Sequence, residues 1–107
     1  MPIRNEADFI ARSLGAVLAQ DYPADRLEVL IADGMSTDGT RAIIAAIAAD
    51  RPRIPVTIID NPGHIVPTGF NAALARARGD VIVRVDGHTV VAPDYVRECV
   101  AALERSG

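Results

Sequence analysis

The 107 residues carry eleven arginines and no lysine against fourteen acidic residues, giving a formal net charge of −3 and a pI near 5.2. Half of the residues are hydrophobic but only 4% are aromatic, so the chain holds one domain at most, with a core of Ala, Val, Ile and Leu. The scattered cations exclude an electrostatic nucleic-acid binder, and the hydrophobic content excludes a disordered tail.

No apolar run approaches the roughly 20 residues that span a bilayer. Arg4, Glu6 and Asp8 break up the N-terminal stretch, so it does not read as a signal peptide and the segment reads as soluble and cytosolic. Asn5 followed by Asp8 predicts a capped helix start, and Ile10, Leu14, Val17 and Leu18 share one face of a helix over residues 7–20. Asp21-Tyr22-Pro23 ends it. Residues 27–32 predict a short strand closing on Asp33, and a turn over 34–39 leads into a second helix with Ile43, Ile44 and Ile47 inward. A second strand over 56–59 runs into the turn Asp60-Asn61-Pro62-Gly63.

A third helix covers 68–78, with Phe70, Ala73, Leu74 and Ala77 inside and Gly79 as a left-handed cap. Residues 81–85 predict another strand, ending at Asp86. The last helix starts at Pro93, a first-turn position that proline suits, and directs Val96, Val100 and Leu103 inward. Cys99 sits in that apolar pattern and reads as a buried thiol; a single cysteine excludes an internal disulfide.

Strands separated by helices, with near-continuous apolar strand segments, predict an α/β fold: a mostly parallel sheet covered on both faces, three layers in all. Ligands of such open sheets bind beyond the carboxyl ends of the strands. The polar clusters fall there: Arg4-Asn5-Glu6, residues 33–38, residues 60–64 and residues 86–88. Walker A, Gly-x-Gly-x-x-Gly, His-Glu-x-x-His and Cys-x-x-Cys patterns are all absent from the sequence, which argues against a P-loop NTPase or a dinucleotide dehydrogenase. A nucleotidyltransferase would need a Gly-rich N-terminal signature followed by a lysine, and there is no lysine.

Four blocks stand in order: PIRNEADFI, QDYPADRLEVLIADGMSTDGT, NPGHIVPTGFNAALARARGD and VIVRVDGH. In order, content and spacing they resemble family 2 glycosyltransferases of the GT-A fold. Pro2, Asn5 and Glu6 match the family's Pro-x-x-Asn-Glu turn, and Gln20, Tyr22 and Pro23 its Gln-x-Tyr-Pro loop. Asp33 matches the first aspartate of Asp-Asp-Gly-Ser. Gly69 and Asn71 match a Gly-x-Asn helix start, Arg78-Gly79-Asp80 a basic-Gly-Asp step, and Asp86-Gly87-His88 the Asp-x-Asp motif.

The resemblance implies the nucleotide-sugar-binding half of a Rossmann-like α/β/α domain spanning residues 1–107, with its first strand truncated. It also implies inverting, metal-dependent transfer from a nucleoside diphosphate sugar, a UDP-sugar, to a polysaccharide or lipid-linked acceptor. A divalent cation neutralises the departing diphosphate and orients it, and Mg²⁺ or Mn²⁺ takes oxygen ligands completed by water and phosphate. Implied donor-site residues are Pro2, Arg4, Glu6, Asp33 for the base, Asn71 and Asp86. Asp86 and His88 are the implied metal ligands.

Two departures stand out. His88 replaces a carboxylate, which favours Mn²⁺ over Mg²⁺ or a direct contact with diphosphate. Gly34 replaces the second aspartate of the other motif. The pair Asp-Gly-His and Asp-Gly-Met-Ser is similar to the bacterial exopolysaccharide branch of the succinoglycan type. The acceptor half and the general base are expected beyond Gly107, on a parent at the cytoplasmic face of the inner membrane. The competing reading is a non-catalytic nucleotide-binding module of the same fold. Bland roles compete at single positions too: turn formation for Asp33 and Asp86, helix capping for Asn5, Ser36 and Asp38, a structural or solvated place for His64, and solvation for Arg76 and Arg78.

Overall fold

A computed structural model describes residues 1–64, 66–79 and 81–106. Three parallel strands, β1 (Pro2–Ile3), β2 (Val29–Asp33) and β3 (Val56–Asp60), lie in the order β1-β2-β3. Pro2 pairs with Ala32 and Ile3 with Asp33; β2 and β3 pair in register from Val29–Val56 to Asp33–Asp60. Four α-helices, α1 (Ile10–Leu18), α2 (Thr40–Asp50), α3 (Val66–Arg76) and α4 (Tyr95–Ser106), and one 3-10 turn (Ala24–Arg26) complete the described chain.

Because side chains alternate across a strand, Ile3, Ile31 and Asp33 share one face of the sheet and Pro2 and Ala32 the other. The first face meets α1 and α2, which pack on each other. Ile10, Leu14, Ile31 and Ile44 are fully buried and form the centre of the core. On the second face α3 crosses β1 and β2, with Gly69 against Pro2 and Ala32. The expected layered α/β architecture with a parallel sheet is therefore present.

The predicted faces of α1 hold: Ile10, Leu14, Val17 and Leu18 are all buried. Its expected start does not. The position before the helix is Phe9, without a side-chain cap, and Asn5 is turned to another loop altogether. The last helix is entered by the turn Pro93-Asp94, and Tyr95 N–H donates to Ala92 O. Of the three isoleucines expected inward in α2 only Ile44 is fully buried, with Ile43 and Ile47 packed more loosely around it.

Residues 81–85 are not a strand, contrary to the sequence pattern. The physical reason lies in β1, whose two residues offer too little backbone for a further ladder. A groove of about 730 Å³ separates the upstream end of β1 and β2 from this segment. Leu74, expected inside, lines that groove and is 46% exposed; Leu103, also expected inside, is 53% exposed. Cys99 is half-buried. At the groove's end the Met1 ammonium donates to Leu30 O at 2.8 Å, continuing the β1–β2 pairing by one bond. Burial pushes its pKa from 8.0 down to about 6, against the pull of Asp86.

Gln20 ties α4 to α1. Its amide nitrogen donates to Ala92 O at 2.7 Å and Ala16 O at 3.1 Å, while its oxygen accepts the Val96 N–H at 2.8 Å. That last bond satisfies one of the orphan donors of the α4 N-terminus. Ile65, Asp80 of the basic-Gly-Asp step and Gly107 lie outside the described residues.

Candidate functional site

The carboxyl ends of β1, β2 and β3 feed three loops, and each loop contains one non-glycine residue with a left-handed backbone: Asn5 (φ 52°), Met35 (φ 61°) and His64 (φ 68°). Such conformations cost about 1 kcal/mol or more each and cluster where surrounding contacts impose them. The imposing contacts around Asn5 are visible. Its N–H donates to Ser36 Oγ at 2.8 Å, and its Oδ1 accepts the Thr37 N–H at 2.8 Å. The Glu6 N–H donates to Thr40 Oγ1 and the Ala7 N–H to Asp38 Oδ2, each at 3.1 Å. The loop after β1 is thus laced onto the loop after β2.

Asp38 serves two loops. One oxygen accepts Thr40 N–H at 3.2 Å and the Thr40 hydroxyl at the start of α2, while the other takes the Ala7 N–H across the gap. The Thr40 hydroxyl, ahead of the backbone donors, holds the Asp38 carboxyl below its usual range. Capping is therefore only half of its role.

A cavity of about 190 Å³ opens at the end of β1. Pro2, Arg4, Glu6, Asp86 and His88, five of the residues singled out from the sequence, line it together. Its walls also include Ile3, Asn61, His64, Val66 and Gly87. The segment 86–88 is held there from behind: the fully buried Ser13 hydroxyl donates to Gly87 O at 2.6 Å, across 74 residues of sequence. Gly87 is required by proximity, since a Cβ would stand 2.6 Å from Ile3 Cγ2. Glu6 Oε1 lies 3.6 Å from His88 Nδ1, and Asp86 Oδ1 lies 3.5 Å from Arg84 Nη2. Both side chains remain largely open to solvent, Asp86 at 50% and His88 at 66%.

Asp33 and Asn71 lie outside the walls of this cavity. Asp33 has no exposed surface; it accepts from Ser36 N–H at 3.2 Å, from the Ser36 hydroxyl and from Arg41 Nε. Arg41 Nη2 continues to Asp60 Oδ1 at 2.5 Å. Asn71 is exposed on the second turn of α3. Arg78 pairs with Glu28 at 3.1 Å, so it is committed to the scaffold.

Sequence reasoning passed over the side chain of Asn61. Asn61 is 3% exposed; its N–H donates to Asp33 O and its carbonyl accepts His64 N–H, so it joins the ends of β2 and β3. Its Nδ2 lies 2.8 Å from where a Cβ on Gly69 would sit, which accounts for the glycine in α3. Asn-Pro-Gly reads as a turn, and nothing in the sequence distinguishes a buried asparagine there. His64, which the sequence reads as structural or solvated, is exposed, and it also stands in the cavity wall.

Asp86 and His88 flank Gly87 on one wall, with Glu6 beside His88. Among the described residues no group of three or more His, Cys, Asp or Glu is arranged to enclose a metal. One carboxylate and one imidazole, open on the cavity side, fit a cation that takes its remaining ligands from phosphate and water. Among the described residues no helix is long and apolar enough to cross a membrane.

Comparison with known proteins places these features in context. The sequence model of Glycosyl transferase family 2 matches residues 1–107. The succinoglycan biosynthesis protein ExoA of Rhizobium meliloti is 36% identical over 102 residues, covering 94% of this chain and 30% of the relative. The ExoO protein of the same organism is 35% identical over 104 residues, covering 96% and 28%. Among solved structures, the mannosyltransferase PcManGT from Pyrobaculum calidifontis, in complex with GDP-Man and Mn²⁺, superposes with a TM-score of 0.87 at 33% identity. It is matched over 92% of this chain and 29% of its own. The S. aureus TarS fragment 1-349 in complex with UDP gives 0.83 at 24% identity, over 97% and 30%, and shows the GT-A fold alone. The chain spans about 30% of the length of the relatives it matches.

Proposed function

The chain belongs to glycosyl transferase family 2, and we propose that it forms the donor-binding part of a glycosyltransferase using a nucleoside diphosphate sugar. One observation carries this reading: the end of β1 and the segment 86–88, far apart in sequence, meet around one cavity at the carboxyl edge of a parallel sheet. There Arg4 and His64 offer donors to a diphosphate, and Asp86 and His88 would hold a divalent cation.

The transfer moves an acceptor hydroxyl oxygen onto the anomeric carbon while the bond from that carbon to the diphosphate breaks. The electron pair leaves with the nucleoside diphosphate, and the hydroxyl proton passes to a base. A bound cation would neutralise the charge on the leaving oxygens. Asp86 and His88 would hold it, with Mn²⁺ preferred because an imidazole suits it better than Mg²⁺. Glu6 would orient the His88 ring through Nδ1, and Asp33 with Asn61 would face the base. No residue of this chain is assigned as the general base. With the chain covering about 30% of its relatives' length, the base and the acceptor site are proposed to belong to the rest of such an enzyme. The preferred donor is a UDP-sugar and the acceptor a polysaccharide or lipid-linked glycan, in keeping with the succinoglycan proteins among the relatives.

Calorimetry with UDP, with and without Mn²⁺, tests the site. The expected result is weak binding that requires the metal and disappears in Asp86→Ala, with His88→Asp shifting preference toward Mg²⁺. Absence of binding under all of these conditions would overturn the assignment.

A further inference from the structure

Asp86 is paired with a cation of the chain itself: Arg84 Nη2 lies 3.5 Å from its Oδ1. The Arg84 guanidinium carbon also stands 5.9 Å from the centre of the Phe70 ring, within reach of cation–π attraction, and Phe70 is half-buried on α3. The guanidinium is thus held from two sides, by a ring and by a carboxylate two residues downstream. Val85, between the two charged residues, is buried and fixes the backbone from which both project. Arg84 lines the large groove and Asp86 the smaller cavity, so the positive charge stands behind the carboxylate and leaves its cavity side open. At 3.5 Å the contact is longer than the roughly 2.7–2.9 Å of a tight charge-assisted bond, so Asp86 keeps lone pairs for another partner. After burial, the strongest influences on the Met1 ammonium are Asp86, which raises its pKa, and Arg84, which lowers it, so both charges act across this corner.

We propose that Arg84 is a positioning residue that acts on the cation through Asp86: it offsets the carboxylate's charge, so that the site holds a divalent ion weakly until a diphosphate arrives with it. The proposal rests on the donor-site reading above, in which Asp86 holds the cation. Without the arginine, Asp86 offers a full negative charge to any free divalent ion. With it, the ion meets a nearly neutral pair, because a guanidinium stays protonated throughout the folded range of pH. Glu6, the other carboxylate of the cavity, lies against the His88 ring. The missing negative charge and oxygen ligands are those that a diphosphate supplies. Metal and nucleotide then fill the site together and leave it together, and an idle site does not collect free ions.

The test titrates Mn²⁺ without nucleotide into the natural chain, Arg84→Met, Arg84→Lys and Asp86→Ala, and reads the free ion by electron paramagnetic resonance. Arg84→Met keeps an unbranched stem against Phe70 and removes the charge. It should bind Mn²⁺ about fivefold more tightly at low ionic strength, and the gain should shrink as salt is added, as expected for a unit charge a few ångströms away. Arg84→Lys restores the charge and should stay near the natural affinity. A merely structural arginine would give the opposite sign, with weaker binding in Arg84→Met and no dependence on salt. Unchanged or weakened affinity in Arg84→Met, or a gain in Arg84→Lys as large as in Arg84→Met, would overturn the role of Arg84. Should Arg84→Met fail to fold, Phe70→Leu releases the guanidinium from its ring and should tighten Mn²⁺ about twofold; no change there has the same force. An Asp86→Ala chain that binds Mn²⁺ like the natural one would instead overturn the reading of Asp86 itself.

Discussion

The hydrogen bond from Ser13 to Gly87 can be removed with almost no change in shape. Ser13→Ala deletes one oxygen from a fully buried position on α1. The hydroxyl has one proton, and at 2.6 Å from Gly87 O against 3.4 Å from Ile10 O it is committed to the distant partner. Ile10 O keeps its place in the helix, but the buried Gly87 carbonyl is left without its donor. An orphaned buried acceptor costs roughly 1–3 kcal/mol, so about 2 kcal/mol is expected here. For a domain of this size that lowers Tm by about 10 °C. Asp86 and His88 flank the freed residue, so metal-dependent UDP affinity should fall several-fold as well. Thermal unfolding by circular dichroism and calorimetry read the two effects. A Tm within about 2 °C of the natural chain, with unchanged affinity, would refute the view that this bond anchors the site.

Two further outcomes follow from the same geometry. Gln20→Leu removes three hydrogen bonds and strips the α4 N-terminus of a donor's partner, so urea unfolding should show a loss of about 2–3 kcal/mol while UDP affinity is kept. The Met1 ammonium gives a pH dependence: its folded pKa of about 6 lies below the value of 8.0 for the free group, so between these the unfolded chain binds more protons and stability rises with pH. Discounted for partial solvent access, the rise from pH 6 to 8 is about 1–2 kcal/mol; N-terminal acetylation should abolish it, and an unchanged urea midpoint in the unmodified chain would count against the burial.

Much of the fold was legible because helix and strand periods are local. The face of α1, the α/β order and the parallel sheet all follow from spacing. The segment 81–85 differs from its pattern for a reason that spacing cannot see: four of its five residues, all but Arg84, are apolar and β-branched, but a strand exists only with a partner, and β1 provides two residues. The same groove leaves Leu74 exposed although its helical spacing is inward. At the site, five of the seven residues named from the sequence converge on one cavity. Asp33 does not, because Arg41 and Ser36 cover it, and no motif spacing announces an arginine eight residues downstream as its partner. Asn61 hid inside an ordinary turn signature.

The polar residues of the second block look at first like a ligand-binding set, yet their hydrogen bonds are largely spent on neighbouring loops. Ser36 and Thr37 bracket Asn5, Thr40 takes the Glu6 N–H, and Asp38 takes the Ala7 N–H. These bonds fix the backbone of residues 5–7, and that backbone places Arg4 and Glu6 in the cavity wall. Ser13 acts in the same way on the opposite wall through Gly87. Ser13, Ser36, Asp38 and Thr40 therefore help set the distance between two walls made by other residues. At position 34 a Cβ would stand 3.2 Å from both Arg4 Cβ and His64 O, a tight fit that glycine avoids. Glycine lets the two left-handed loops close on each other, and the negative charge that an aspartate would have supplied is left to Asp33 and Asp60, joined through Arg41.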